Sequence, residues 1–198
     1  MARAVSSARP GDAHAVRDTI PVRAGLAYRI DTMRLFLTRH AKSDWSDPRR
    51  PDHDRPLNAR GIGAAAAMGR WIAGRSHLPD LVLLSTAMRV SQTWDGISPH
   101  LPDGLPVQTQ AELYLATPET ILDVLSRQTA QCVMVVAHNP GMAALAQWLV
   151  LETPKRVEFH RFPTGATLIL DIEGSNWASL SARSADVVDF TVPRDLVD

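Results

Sequence analysis

Two histidines and two arginines stand where apolar runs end. Leu35-Phe36-Leu37-Thr38 stops on Arg39-His40, Leu81-Val82-Leu83-Leu84 leads into Ser85-Thr86-Ala87-Met88-Arg89, and Val133-Met134-Val135-Val136 leads into Ala137-His138-Asn139-Pro140. Each run reads as a buried strand of an open α/β sheet, where ligands sit in the crevice beyond the carboxyl ends of the strands. Gathered at one sheet end, two guanidiniums would offer planar forks of donors that fit a tetrahedral oxyanion. The N-termini of the following helices would add backbone N–H groups. A neutral imidazole in that setting can attack phosphorus in line, while the arginines depress its pKa and stabilise charge on the transferring oxygens. His40, directly on the strand end, is the expected nucleophile, and Arg39, Arg89 and His138 are expected to bind the phosphoryl group.

Rival chemistries fit the residues less well. His40, His53, Asp54 and His138 could be written as metal ligands, but two arginines would repel a dication and no His-Glu-x-x-His spacing exists. No metal and no other cofactor is expected. A cysteine nucleophile would need an arginine six residues after Cys132, and that position is His138. The chain has no Gly-x-x-x-x-Gly-Lys-Ser/Thr loop and no Gly-x-Ser-x-Gly elbow, and its Asp171-to-Glu173 acid pair falls in an apparent edge hairpin.

The elements that must position the quartet can be read in order. After the first strand, Lys42 to Pro56 is rich in proline and charge and reads as a loop over the strand end. Trp45 and the charged stretch Asp47 to Arg55 could form a docking rim there. Asn58 caps a first helix through Ile62, Met68 and Ile72, and Ser85 or Thr86 is expected to cap a second that carries Arg89 in its first turn. A short strand near Val107 and a helix opening at Pro118-Glu119 follow. Asn139 as cap and Pro140 as first residue should open a fourth helix. Thr167 to Ile172 and a run near Trp177 to Leu180 are expected to form a hairpin turned by Glu173-Gly174-Ser175-Asn176. Such alternation of strand and helix indicates a layered α/β domain. Between Arg89 and His138 these elements use nearly every residue, which leaves no room for a cap subdomain.

Composition narrows the partners. Of 198 residues, 21 are Lys or Arg and 21 are Asp or Glu, so no global field recruits nucleic acid or an anionic membrane. The lone cysteine, Cys132, opens an apolar strand and reads as a packed core thiol, and this cysteine usage fits the cytoplasm. Residues 1–32, dominated by Ser, Ala, Arg, Gly and Pro, read as a disordered extension or a non-native start before Met33. One domain is expected over residues 33–190, with a C-terminal tail over 191–198. No oligomer signal is present, so a monomer is expected.

Four segments together resemble the histidine phosphatase superfamily: Thr38-Arg39-His40-Ala41-Lys42-Ser43, Asp54-Arg55-Pro56-Leu57-Asn58-Ala59-Arg60-Gly61, Ser85-Thr86-Ala87-Met88-Arg89-Val90-Ser91-Gln92-Thr93 and Ala137-His138-Asn139-Pro140-Gly141. Within it they are most similar to the SixA-type phosphohistidine phosphatases. The resemblance implies a three-layer sandwich with a mostly parallel central sheet flanked by helices. It also implies a covalent phosphohistidine intermediate on His40, with Arg39, Arg89 and His138 on the phosphoryl group and Ser43 as a further substrate-binding candidate. Glu112 resembles the acid that many members use to protonate the leaving group. Ala41 stands where many members have glycine, Thr86 replaces a usual proline and Ala137 a usual glycine. The implied activity is metal-independent hydrolysis of phosphohistidine on a phosphotransfer protein. Hydrolysis of small phosphate esters, or a non-catalytic phosphate-binding module, are the alternatives.

Overall fold

The computed structural model describes residues 32–75 and 78–196. The expectation for the N-terminal extension therefore lies outside the described residues, except at Thr32. Six strands form one sheet in the order β3-β2-β4-β1-β5-β6. β1 (Thr32–Arg39), β2 (Leu81–Ser85), β3 (Val107–Gln110) and β4 (Cys132–Ala137) run parallel, β5 (Thr167–Glu173) runs antiparallel to β1, and β6 (Ala185–Thr191) runs antiparallel to β5. The sheet is thus mostly parallel.

Alternation along the strands builds two cores. Leu35 and Leu37 of β1, Leu83 of β2 and Val133 and Val135 of β4 face one side, where α3 (Pro118–Ser126), α4 (Gly141–Leu149) and the short α5 (Val157–Arg161) contribute Ile121, Leu145 and Phe159. Phe36, Val82, Leu84, Met134 and Val136 face the other, where α1 (Ala59–Ala73) and α2 (Met88–Ile97) contribute Met68, Ile72, Val90 and Ile97. Strands buried on both faces carry continuous apolar runs, which is why β1, β2 and β4 stand out in the sequence. The result is the expected three-layer arrangement. Between Arg89 and His138 lie only α2, β3, α3, β4 and short 3-10 turns, with no inserted cap. Among the described residues no helix is long and apolar enough to cross a membrane.

Two expectations need correction. Trp177 to Leu180 does not pair with β5. Trp177 opens a short 3-10 turn, is buried, and its indole N–H donates to the Ala130 carbonyl at 2.8 Å. The strand that pairs with β5 is β6, which carries the charged residues Asp186 and Asp189 as suits a sheet edge. Ordered structure also extends past residue 190: Thr191 and Val192 are buried, and a 3-10 turn over Pro193–Asp195 is tied back by a 2.8 Å hydrogen bond from Arg156 to Asp195.

Close packing fixes the start of α1 against the loop that leaves β1. Asn58 caps the helix, its side chain accepting from the Gly61 N–H at 2.9 Å, while its own N–H donates to the Lys42 carbonyl at 3.0 Å. A methyl group at Gly61 would overlap that same carbonyl, whereas Gly63, two residues on, faces open space. Gly61→Ala should therefore destabilise by about 1–3 kcal/mol and Gly63→Ala should stabilise by up to about 1 kcal/mol. At roughly 2–4 °C per kcal/mol for a domain of this size, thermal unfolding separates the two. Equal melting temperatures for the pair would contradict this packing.

Candidate active site

Register brings the site together. β4 lies between β2 and β1, and Arg39, the last residue of β1, pairs with Ala137, the last of β4. The His40 N–H donates to the Ala137 carbonyl at 3.0 Å, so the next residues out, His40 and His138, share one rung beyond the sheet. Their ring centroids are 5.1 Å apart. From β2 comes Ser85, and α2 delivers Arg89 from its first turn.

Arg89 occupies the centre and is 2% exposed. Its Nε–H donates to His40 Nε2 at 3.3 Å and Nη2 donates to His138 Nδ1 at 3.2 Å. The outer Nη atoms reach Asp52: Nη1 donates to the backbone carbonyl and Nη2 to Oδ2 at 3.0 Å. Thr93 ties the helix to the strand end, its hydroxyl donating to the Arg89 carbonyl at 2.6 Å and accepting from the Ala41 N–H at 3.0 Å. Arg39 donates from Nη1 to the Phe162 carbonyl at 3.0 Å, and its buried Nε has no hydrogen-bond partner among the described residues. Gly165, at φ 78°, turns the chain back so that its N–H meets the carbonyls of Arg39 and His40 at 3.1 Å each.

These contacts set the tautomers. A carbonyl only accepts, so the 2.7 Å contact between His40 Nδ1 and the Ala41 carbonyl places the proton on Nδ1 and leaves a lone pair on Nε2. His138 is arranged the other way: Nδ1 accepts from Arg89, and Nε2–H donates to Ser85 Oγ at 2.7 Å. Burial, aided by the charges of Arg89, Arg39 and Arg55 and opposed by the Ala41 hydrogen bond, lowers the His40 pKa to about 4. Burial, with the neighbouring His40 and Arg89, lowers that of His138 to about 3. Both imidazoles are neutral at physiological pH. Burial and the Arg89 charge also lower the Arg39 pKa from its usual value.

The loop after β1 supplies groups that sequence reasoning missed. A 3-10 turn over Asp52–Asp54 lays Asp52 against Arg89, and its carboxylate also accepts from Arg55, at 2.7 Å from Nη2, and from the Tyr114 hydroxyl at 2.7 Å. Burial alone would raise the Asp52 pKa. The hydrogen bonds from Tyr114 and Arg89 and the charges of Arg89 and Arg55 outweigh it and hold the pKa at about 2. Tyr114 stands edge-on to His138, centroids 5.5 Å apart, and Arg55 is buried with its guanidinium over the Trp45 ring. The only hint in the sequence is a run of alternating acids and bases, Asp52-His53-Asp54-Arg55, directly downstream of a strand that ends in His.

The site also claims residues expected as helix caps. Ser85 serves His138, and Thr86 bonds His53 Nε2 at 2.9 Å, so α2 starts from Ala87 with no side-chain cap. Asn139 donates to the carbonyls of Arg161 and Phe162 at 3.1 Å each, and α4 begins one residue later than expected, at Gly141. Glu112 has no hydrogen bond to the quartet: its exposed carboxylate pairs with Arg127 at 3.0 Å. Ser43 is buried and bridges to Leu57 in the loop. The methyl groups of Ala41 and Ala137 pack into hydrophobic clusters.

Comparison with known proteins supplies the family. Residues 35–114 match the family model of the histidine phosphatase superfamily (branch 1). The solved structure of a protein assigned as phosphohistidine phosphatase SixA from Agrobacterium tumefaciens is 32% identical, covers 81% of this chain and 98% of that one, and superposes with a TM-score of 0.68. The chain belongs to the histidine phosphatase superfamily. Its SixA-type character is also carried by a protein assigned as SixA from Nakamurella multipartitia, 31% identical over 81% of this chain and 95% of that one, at a TM-score of 0.68. The uncharacterized Mycobacterium tuberculosis protein Rv1276c is 36% identical over 166 residues, 79% of this chain and 99% of the relative. Membership in the superfamily supports phosphatase activity.

Neutral imidazoles have a consequence for stability. The ordinary histidine pKa is 6.5 and the folded values are about 4 for His40 and about 3 for His138, so below pH 6.5 the unfolded chain binds protons that the folded chain refuses. Stability should fall as pH drops from 6.5 toward 4 and gain from these groups only above that window. Thermal unfolding of the wild type and His138→Gln between pH 7 and pH 4 should show a shallower acid slope for the variant. Parallel slopes would contradict a buried, neutral His138.

Proposed function

We propose that this protein is a metal-independent phosphohistidine phosphatase that acts on histidine-phosphorylated phosphotransfer proteins. One observation carries the reading: the carboxylate in contact with the quartet, Asp52, is held ionised with a pKa of about 2, while His40 keeps its proton on Nδ1 and its lone pair on Nε2, where it meets Arg89. An alkoxide leaving group needs a proton from an acid, and an ionised Asp52 does not supply one at neutral pH. A phosphorylated imidazole carrying a proton on its other ring nitrogen is already a good leaving group.

His40 Nε2 attacks phosphorus, the P–N bond of the substrate breaks, and the departing imidazole keeps that electron pair. Arg39, Arg89 and His138 hold the transferring oxygens, and Arg89 exchanges contacts with Asp52 for contacts with phosphoryl oxygens. Water then attacks phospho-His40, releasing phosphate and restoring the imidazole. Ser43, buried where the loop after β1 bridges to Leu57, supports that loop. The absence of an inserted cap between α2 and β4 leaves the strand ends open to a phosphohistidine on a protein surface. Trp45, 69% exposed and stacked on Arg55, which pairs with Asp52, is available as a docking residue.

Phosphate release from a phosphohistidine-bearing phosphotransfer domain, compared with an aryl phosphate, tests the reading. The wild type should favour the phosphoprotein, and His40→Ala should lose at least about 10³-fold on it. Glu112→Gln, which removes only an exposed ion pair, should stay within about twofold on both substrates. Turnover of the aryl phosphate alone would replace this reading with a small-ester phosphatase, and turnover of neither would leave a phosphate-binding module.

A further inference from the structure

Beside the quartet lies a second feature that phosphoryl transfer does not use. A cleft of about 340 Å³ opens where Lys42, two residues beyond the nucleophile, faces the start of α1, α5 and the turn after β6. Four cations line it, Lys42, Arg60, Arg161 and Arg194, against a single acid, Glu158. Glu158 is already bonded to Arg194 and lies 3.6 Å from Arg156. Lys42, Arg60 and Arg161 have no ion pair among the described residues. In a chain with 21 bases and 21 acids, this is a local excess of positive charge at one end of the sheet.

The cleft and the quartet share a wall. Pro163 and Thr164 line the cleft. The residues on either side, Phe162 and Gly165, hold Arg39 and the backbone of Arg39 and His40. A ligand anchored at His40 therefore reaches the cleft by crossing one loop.

We infer that this cleft binds an acidic segment of the phosphoprotein, Asp and Glu side chains flanking the phosphohistidine. The inference rests on the phosphohistidine reading above and names what surrounds that histidine. The type of cation favours a peptide over a compact second phosphate. Tight phosphate sites use buried guanidinium forks and backbone N–H groups, as at Arg89, whereas Lys42, Arg60 and Arg161 are exposed, mobile-headed side chains on three separate elements. Val157, 61% exposed, and Pro163 add apolar surface between them, which suits the aliphatic stems of acidic residues.

The test uses the full chain and its double variant Arg60→Gln/Arg161→Gln, both changes being on exposed side chains outside the quartet. A fluorescent peptide rich in Asp and Glu, without phosphate, is titrated by anisotropy beside its Asn/Gln counterpart. The wild type should prefer the acidic peptide, and the double variant should bind it about tenfold more weakly, with the difference shrinking in added salt. Hydrolysis of an aryl phosphate should stay within about twofold, which shows the variant folded with its quartet intact. Equal binding of the acidic peptide by both proteins, or no preference over the neutral peptide, overturns the inference. So does variant-dependent binding of inorganic pyrophosphate in place of the peptide, which would make the occupant a compact phosphate. Because neither peptide carries phosphohistidine, a wild type that binds the acidic peptide but releases no phosphate from a phosphohistidine protein would fail the proposed substrate and leave this result standing.

Discussion

A guanidinium that is 2% exposed is the constraint on which the site depends. A buried guanidinium is costly unless its N–H donors find acceptors, and removing any partner leaves charge without compensation. Arg89 meets this need with the Nε2 of one imidazole, the Nδ1 of the other and both the backbone and side-chain oxygens of Asp52. Each acceptor is thereby fixed in state as well as place. The imidazoles stay neutral because burial penalises their charged form and a proton on either accepting nitrogen would also face Arg89, and Asp52 stays ionised because three donors converge on its carboxylate. The same carboxylate fastens the loop after β1 across the sheet end. A phosphoryl group, with oxygens of the same charge type and acceptor geometry as that carboxylate, is the natural substitute for it.

His40 and the buried cation are also held as one unit. Thr93 joins the backbone of Ala41 to that of Arg89, so the strand end and the first turn of α2 move together. The Ala41 carbonyl fixes the His40 ring from behind, and Gly165 anchors the Arg39 and His40 carbonyls from the neighbouring loop. Preorganisation of this kind holds the Nε2 lone pair in place, which the proposed attack requires.

Much of this was legible from residue types and much was not, for physical reasons. β1, β2 and β4 are buried on both faces, so their apolar runs mark both the strands and the points where Arg39, His40, Arg89 and His138 emerge. Asn58 announces α1 because a cap is a local interaction between an Asn side chain and an N–H three residues on. Asp52 is different: its role is created by a cation from α2 that only the tertiary fold brings near, and its irregular loop has no periodicity to read. Ser85, Thr86 and Asn139 have the chemistry of caps, and long-range partners outcompete the local use. At the sheet edge, Trp177 to Leu180 looks more like a strand than Ala185–Thr191 does, because burying a large indole favours an apolar run while an edge strand tolerates Asp186 and Asp189.

The central claim is that the neutral His40, with its proton held on Nδ1, takes the phosphoryl group on Nε2. During turnover of a phosphorylated substrate, quenching into base preserves phosphohistidine, and mass spectrometry locates it. Phosphorus–nitrogen coupling in ¹⁵N-labelled protein then identifies the ring atom. The account predicts phosphate on Nε2 of His40 and on no other residue. Label on His138, attachment through Nδ1 of His40, or steady phosphate release with no covalent label would contradict it.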